Sequence, residues 1–204
     1  QPAGFDGHIH AIGDRAVREA LSAVAEARSA ANGEATRHRL THVELTHPDD
    51  VARFASSGVA ADMQLGSHTD PANVAETAEF VGPQRAEREA WVLRDLWNTG
   101  AVVALSSDFD VGELNPFATI ARALRRGLQS LPDVAAALRA YTMHPAYIMR
   151  SERRTGSLEV GKLADFIVVD RDVFRVAPEE IAGTRVLWTV VGGDEVFRRE
   201  GFRP

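Results

Sequence analysis

Cysteine is absent from the 204-residue chain. Disulfides and thiolate metal sites are thereby excluded, so any metal must be held by His, Asp or Glu. Basic runs with interleaved aromatics are also missing, and the formal net charge is −6, which argues against nucleic acid as the main partner. No apolar stretch approaches the ~20 residues needed to span a bilayer, and no signal peptide stands at the start. The expectation is no membrane partner and a cytoplasmic location. An initiator Met is missing as well. Gln1-Pro2-Ala3-Gly4 runs straight into a strand-like segment, which reads as a cut into a longer chain. Internal repeats and low-complexity segments are absent.

What is present is an ordinary globular composition, 45% hydrophobic, laid out in alternation. Residues 4–10 read as a strand. Residues 14–31 read as a helix with Val17, Leu21, Val24 and Ala27 along one stripe. Residues 39–45 are strand-like, and Pro48 opens a helix to residue 57, with Thr46 or His47 near its cap. Residues 59–64 make a third strand. A long polar loop, 65–83, carries a short helix near 74–80. Residues 85–98 read as a helix ended by Thr99-Gly100, and 101–105 as a fourth strand. Helices at 116–127 and 132–150 follow. Four βα units in a row imply a parallel sheet with right-handed crossovers. The run Ala101-Val102-Val103-Ala104-Leu105 suits a strand buried on both faces.

After Gly156 the pattern changes. A strand at 166–170 and a hairpin, 186–191 and 195–198 about Gly192-Gly193, read as a small all-β module. The predicted architecture is α/β. Residues 1–152 hold about four βα units, and residues 153–204 hold the β module. A complete (β/α)8 barrel needs about 250 residues, so the first part is either a small open sheet or half of a barrel.

The chemistry concentrates at strand ends. His8 and His10 are two residues apart on a strand and so share a face. A histidine at the C-terminal end of a strand, before a βα loop, stands where α/β barrels place catalytic ligands. His42 lies within the second strand, and Asp108 follows the fourth. Two imidazoles and a carboxylate at one end of a parallel sheet suit zinc or a similar divalent ion. An Asp beside such an ion can also take the proton of a hydrolytic water. For residues 8–16 the competing structural reading is one buried, hydrogen-bonded His and a helix-capping Asp14, and a lone strand His elsewhere can equally be a satisfied core residue.

Four segments occur in the order found in the metal-dependent amidohydrolase superfamily. They are His10-Ala11-Ile12-Gly13-Asp14-Arg15-Ala16, the stretch from His42 through His47-Pro48-Asp49-Asp50, Ser107-Asp108, and Gly156-Ser157-Leu158-Glu159-Val160-Gly161-Lys162-Leu163-Ala164-Asp165. The chain most closely resembles the YtcJ-like branch, amidohydrolase family 3, along essentially its whole length. That resemblance implies a distorted (β/α)8 barrel with a small β-sandwich built from both termini. This chain corresponds to the C-terminal half, barrel strands five to eight plus part of the sandwich. It further implies that His10 and His42 ligate metal, and that Asp108 binds metal and acts as general base. Asp14 and Arg15 match loop positions on the substrate side, and His68, on the long polar loop, is a further substrate-binding candidate. The implied reaction is hydrolysis of an amide or related non-peptide C–N bond in a small molecule. The implied cofactor is one or two divalent ions, zinc first, in the full-length enzyme.

The chain also departs from the family pattern. The first-strand His-x-His and the fourth-strand bridging residue have no counterpart. The polypeptide alone is therefore expected to be inactive, and to work as a homo-oligomer or with the missing N-terminal half. Thr41 stands where Glu is common, Ser106 where Gly is usual, and Asp110 where Pro is frequent. The alternatives are a non-catalytic regulatory or interaction protein on the same scaffold, and a small metal-free α/β binding domain. Of the remaining residues, His8 reads as packing behind the site, His47 as the start of a helix, His144 as structural and His38 as surface. Trp91 and Trp97 read as core or as packing against missing neighbours. Asp62, on the third strand, has no assigned role.

Overall fold

The computed structural model describes residues 5–30, 36–66, 69 and 74–204. Four short strands, β1 (His8–Ala11), β2 (Arg39–His42), β3 (Ala60–Gln64) and β4 (Val103–Ser106), pair in that order as a parallel sheet. The register sets His10 opposite Thr41, Thr41 opposite Asp62, and Gln64 opposite Ser106. Helices between the strands supply the crossovers that parallel pairing requires. α1 (Asp14–Ala30) buries Val17, Leu21 and Val24 at helical spacing. α2 (Pro48–Ser57) starts where the Asp49 N–H donates to His47 Nδ1 at 3.3 Å, and ends at left-handed Gly58. It buries Phe54, which packs in one core with Leu21, Leu40, Met63 and Leu105.

Two segments expected as single helices are split. The stretch after α3 (Val74–Val81) forms α4 (Pro83–Glu89) and α5 (Leu93–Asn98). Between them Ala90 bridges Leu45 antiparallel, and the Trp91 N–H donates to the Glu44 carbonyl at 2.7 Å. Main-chain pairing across these two loops displaces the helical bonds that would have joined α4 to α5. Beyond α6 (Pro116–Leu124), Asp133 caps α7 (Val134–Tyr141) by accepting the Ala136 N–H at 2.7 Å. Thr142 leaves helical geometry, with φ −127° and ψ −68°, before α8 (Met143–Ile148).

The second, separate sheet is antiparallel, β5 (Phe166–Val169), β6 (Val186–Val191) and β7 (Asp194–Arg198), with α9 (Pro178–Ile181) inserted after β5. Gly192 and Gly193 turn the β6–β7 hairpin at φ 61° and 92°, the paired positive values that a two-residue turn of this hand demands. The mixed α/β architecture, with a parallel sheet followed by an antiparallel one, is the predicted one. Among the described residues, no helix is long and apolar enough to cross a membrane.

Candidate metal centre

The alternation of β1 turns His8 and His10 to the same open face and Ala11 inward. On β2, Thr41 lies opposite His10 in register and belongs to that same face. A regular strand would send the next residue, His42, to the far side with fully buried Leu40. It does not go there. His42 and Val43 adopt left-handed backbone, φ 73° and 53°. That conformation is rare for non-glycine residues and an outlier for a β-branched one. The turn brings the His42 ring against that of His10, with centroids 4.2 Å apart.

After β4, Asp108 is also left-handed, φ 50°. Its carbonyl accepts the N–H groups of Val111 and Gly112, at 2.7 and 3.1 Å, in a tight turn. A Cβ on Gly112 would stand 1.9 Å from the Ser107 carbonyl oxygen, so only glycine fits there. Conformations of this kind cost about 1–3 kcal/mol each and cluster at functional sites. Here they fall on two of the three residues expected to carry the chemistry.

The result is one open cavity of about 380 Å³, to which each strand contributes two residues. They are His8 and His10 from β1, Thr41 and His42 from β2, Asp62 and Gln64 from β3, and Ser106 and Asp108 from β4 and its exit. All three predicted ligands line it. Arg39 Nη2 donates to Nδ1 of the cavity-lining His8 at 3.0 Å. Burial, then the Arg39 charge, lowers the His8 pKa and favours the neutral ring.

Asp14 and Arg15 are not among the lining residues. Asp14 accepts from Arg85 Nη2 at 2.6 Å and from the Arg15 N–H at 2.8 Å. The Arg15 side chain is exposed, 3.8 Å from Glu19. His68 lies outside the described residues. His144 is structural, donating from Nδ1 to the Val103 carbonyl at 2.7 Å and stacking on Trp97. His38, expected at the surface, is buried instead, and its Nδ1 accepts the Gly7 N–H at 2.7 Å.

Sequence reasoning missed Gln64 and the hydroxyls around it, and left Asp62 without a role. Gln64 Nε2 donates to Thr41 Oγ1 at 2.7 Å and to Ser106 Oγ at 2.9 Å, while its Oε1 accepts the His42 N–H at 2.9 Å. Ser106 in turn donates to Asp62 Oδ1 at 2.8 Å. The signal was present. In Ala60-Ala61-Asp62-Met63-Gln64 the two polar residues are two apart in an otherwise apolar strand, which puts both on one face.

Among the described residues, no three His, Asp or Glu side chains stand in an arrangement that would hold a metal ion. The donor chemistry of the cavity does suit one. Two imidazoles in contact and the Asp108 carboxylate lining the same cavity are the nitrogen and oxygen donors that divalent ions take where thiolates are lacking. The residues present thus fit part of a ligand set.

The profile of the Amidohydrolase family matches residues 1–197. The chain is 30% identical over 205 residues to Protein LONG AFTER FAR-RED 3 of Arabidopsis thaliana, covering 96% of this chain and 34% of that protein. It is 29% identical over 206 residues to the N-substituted formamide deformylase of Arthrobacter pascens, covering 97% and 38% respectively. Among solved structures, an uncharacterized metal-dependent hydrolase from Pyrococcus furiosus superposes with a TM-score of 0.64 at 27% identity, over 79% of this chain and 32% of that one. Much of this chain's fold is thus shared with a metal-dependent hydrolase. The chain belongs to the amidohydrolase family, family 3. It spans little more than a third of the length of the curated relatives it matches.

Proposed function

We propose that this chain is the C-terminal, ligand-bearing half of a metal-dependent hydrolase that cleaves amide or related non-peptide C–N bonds in small molecules. The observation that carries the reading is the convergence of His10, His42 and Asp108 on one cavity, with His42 and Asp108 in left-handed backbone. Family membership and the deformylase relative support the bond class. The metal-dependent neighbour supports a divalent ion, with zinc the first candidate.

His10 and His42 would hold the ion, with Asp108 beside them and further ligands from outside this chain. Such an ion supplies Lewis acidity, polarising the carbonyl and acidifying water. The Asp108 carboxylate accepts the proton of the attacking water and returns it to the leaving nitrogen. Asp14 and Arg15 follow β1 at the cavity end of the sheet, and substrate contacts from them, and from His68, belong to the same proposal. So does the half-barrel, with residues 1–152 as barrel and 153–204 as sandwich. In support, β1 and β4 each pair on one side only among the described residues. Those open edges are where the N-terminal half, or a second copy, would add strands. The polypeptide alone is then expected to be inactive.

The test uses the full-length protein. Its metal content is measured, and a panel of N-formyl amines, N-acyl amines and cyclic amides is assayed before and after chelation. Metal-dependent hydrolysis of at least one C–N bond is expected. A metal-free protein that hydrolyses none of them would reject the reading.

A further inference from the structure

We propose that Gln64 is a positioning residue: its side-chain amide, given its direction by Asp62 through Ser106, holds the backbone of His42 in the conformation that turns the imidazole into the cavity. The use made of His42 rests on the metal-site reading above. The hydrogen bonds that hold it stand without that reading.

Regular pairing of β2 with β3 runs from Arg39–Ala60 to Thr41–Asp62 and stops there. At the next residue, the His42 N–H donates to Gln64 Oε1 at 2.9 Å. A side-chain carbonyl thus takes the place of the next main-chain carbonyl. His42 can then leave strand geometry, reaching φ 73°, without leaving its N–H unpaired, which is the ordinary penalty for such a departure. The neighbouring N–H groups stay engaged with β1 and the residue after it. Val43 donates to the Ala11 carbonyl at 3.0 Å, and Leu45 to the Ile12 carbonyl at 2.9 Å. Among the described residues, Gln64 therefore bridges the gap on the β3 side.

The amide has two ends of nearly equal shape, and only its partners fix which faces His42. Those partners give one answer. The Ser106 hydroxyl has a single proton, and it goes to Asp62 Oδ1 at 2.8 Å. A carboxylate only accepts. The Ser106 oxygen must then meet Gln64 as an acceptor, and Gln64 Nε2 donates to it at 2.9 Å. The second Nε2 proton goes to Thr41 Oγ1 at 2.7 Å. Oε1 is left for His42. A reversed amide would set donor against donor at His42 and leave Oε1 facing an oxygen whose proton is committed. Gln64, Thr41 and Asp62 are all buried, so water is a poor substitute for any of these bonds. Thr41 and Ser106 are also two of the three point positions at which this chain departs from the pattern it resembles. Each departure supplies one hydroxyl to this amide.

The test is amide hydrogen exchange, read at residue resolution on the full-length protein and three variants. Gln64→Met keeps the length of the side chain and removes its hydrogen bonds. Gln64→Glu keeps an acceptor for His42. Ser106→Ala is a smaller change that removes the acceptor of one Gln64 Nε2 proton and the link to Asp62 while leaving Oε1 for His42, and it decides the matter if Gln64→Met does not fold. The His42 amide should exchange about tenfold faster in Gln64→Met, as expected for loss of one intramolecular hydrogen bond. It should exchange several-fold faster in Ser106→Ala and close to the parent rate in Gln64→Glu. The amides of Leu40 and Ala61 should not change. Unaltered His42 exchange in Gln64→Met and Ser106→Ala would overturn the proposal. Equal acceleration in Gln64→Glu, or across β2 and β3 alike, would overturn it too, because packing would then be the cause. Zinc titration of the full-length protein separates the two ideas. Absence of zinc affinity there counts against the metal site, while His42 exchange still decides the role of Gln64.

Discussion

The rings of His10 and His42 meet edge to face at 65°, centroids 4.2 Å apart, although the two residues sit on adjacent strands at positions that regular pleating would turn to opposite faces. The contact exists because the backbone of His42 is left-handed. If this pair forms the histidine portion of a metal site, zinc affinity should fall in both His10→Ala and His42→Ala. Loss of an outer-shell partner alone costs roughly 10–100-fold in affinity, so loss of a ligand should cost at least that. Competition with a colourimetric chelator measures it. Equal zinc affinity in parent and both variants would show that any binding occurs elsewhere.

Gly112 should tolerate no side chain. A Cβ there would lie 1.9 Å from the Ser107 carbonyl oxygen, inside the turn that carries Asp108. Gly112→Ala forces main chain apart, an overpacking penalty of about 1–3 kcal/mol. Gly13 is the control, since a Cβ there meets nothing within 4 Å. Gly13→Ala should change stability by no more than about 0.5 kcal/mol. Urea denaturation of the two variants checks both values, and a Gly112→Ala protein as stable as the control would mean that the turn differs from the one described.

The parts of the fold that follow from periodicity were legible in the sequence. Val17, Leu21 and Val24 mark α1, the two glycines mark the β6–β7 hairpin, and strands alternating with helices give the parallel sheet. The parts that depend on a competing tertiary bond were not. Residues 85–98 carry helical periodicity throughout, yet Ala90 pairs with Leu45 and divides the helix. Residues 39–45 read as one strand because Val43 and Leu45 favour extended backbone. The left-handed turn at His42 and Val43 opposes that preference and is invisible to it. The two histidines and Asp108, which line one cavity, were singled out from residue type and their place at strand ends. Gln64 was missed because the i, i+2 spacing of Asp62 and Gln64 on an apolar strand puts both on one face but does not reveal the partners on β2 and β4 that give the amide its role. His38 was misplaced because flanking arginines suggest a surface, whereas its ring accepts a main-chain N–H in the interior.

Acid should weaken the fold through two ion pairs at the other end of the sheet. Arg150 donates to both carboxylate oxygens of Asp6, at 2.6 and 2.9 Å, and this bond lowers the Asp6 pKa to about 2. Arg37 grips Glu152 at 2.8 and 2.9 Å and likewise lowers its pKa to about 2. Unfolded, both groups would titrate near pH 4. A carboxyl whose pKa is depressed by folding contributes stability above its unfolded value and loses it as the pH falls toward the folded one. Denaturant midpoints should therefore hold from pH 7 to about pH 5 and decline between pH 5 and pH 2. The decline should be shallower in Arg37→Gln and Arg150→Gln, which start lower at neutral pH. Parallel curves for all three proteins would place the acid sensitivity in other groups.

The strongest functional prediction concerns Asp108 in the full-length protein. Asp108 follows β4 and lines the cavity that also holds His10 and His42, and under the proposed mechanism it would act as the general base. Asp108→Asn preserves size and the ability to accept a hydrogen bond, and removes charge and basicity. Asn also tolerates left-handed backbone, so the φ of 50° at this position should survive the change and the variant should fold. Removal of a general base costs about 10²–10⁴-fold in rate. The expected result is a folded protein with unchanged thermal stability and kcat reduced by that factor on any C–N substrate the parent cleaves. KM should move much less than kcat, because proton acceptance matters in the transition state and little in substrate binding. A loss confined to KM would assign Asp108 to substrate binding, and full activity would place the proton acceptor elsewhere.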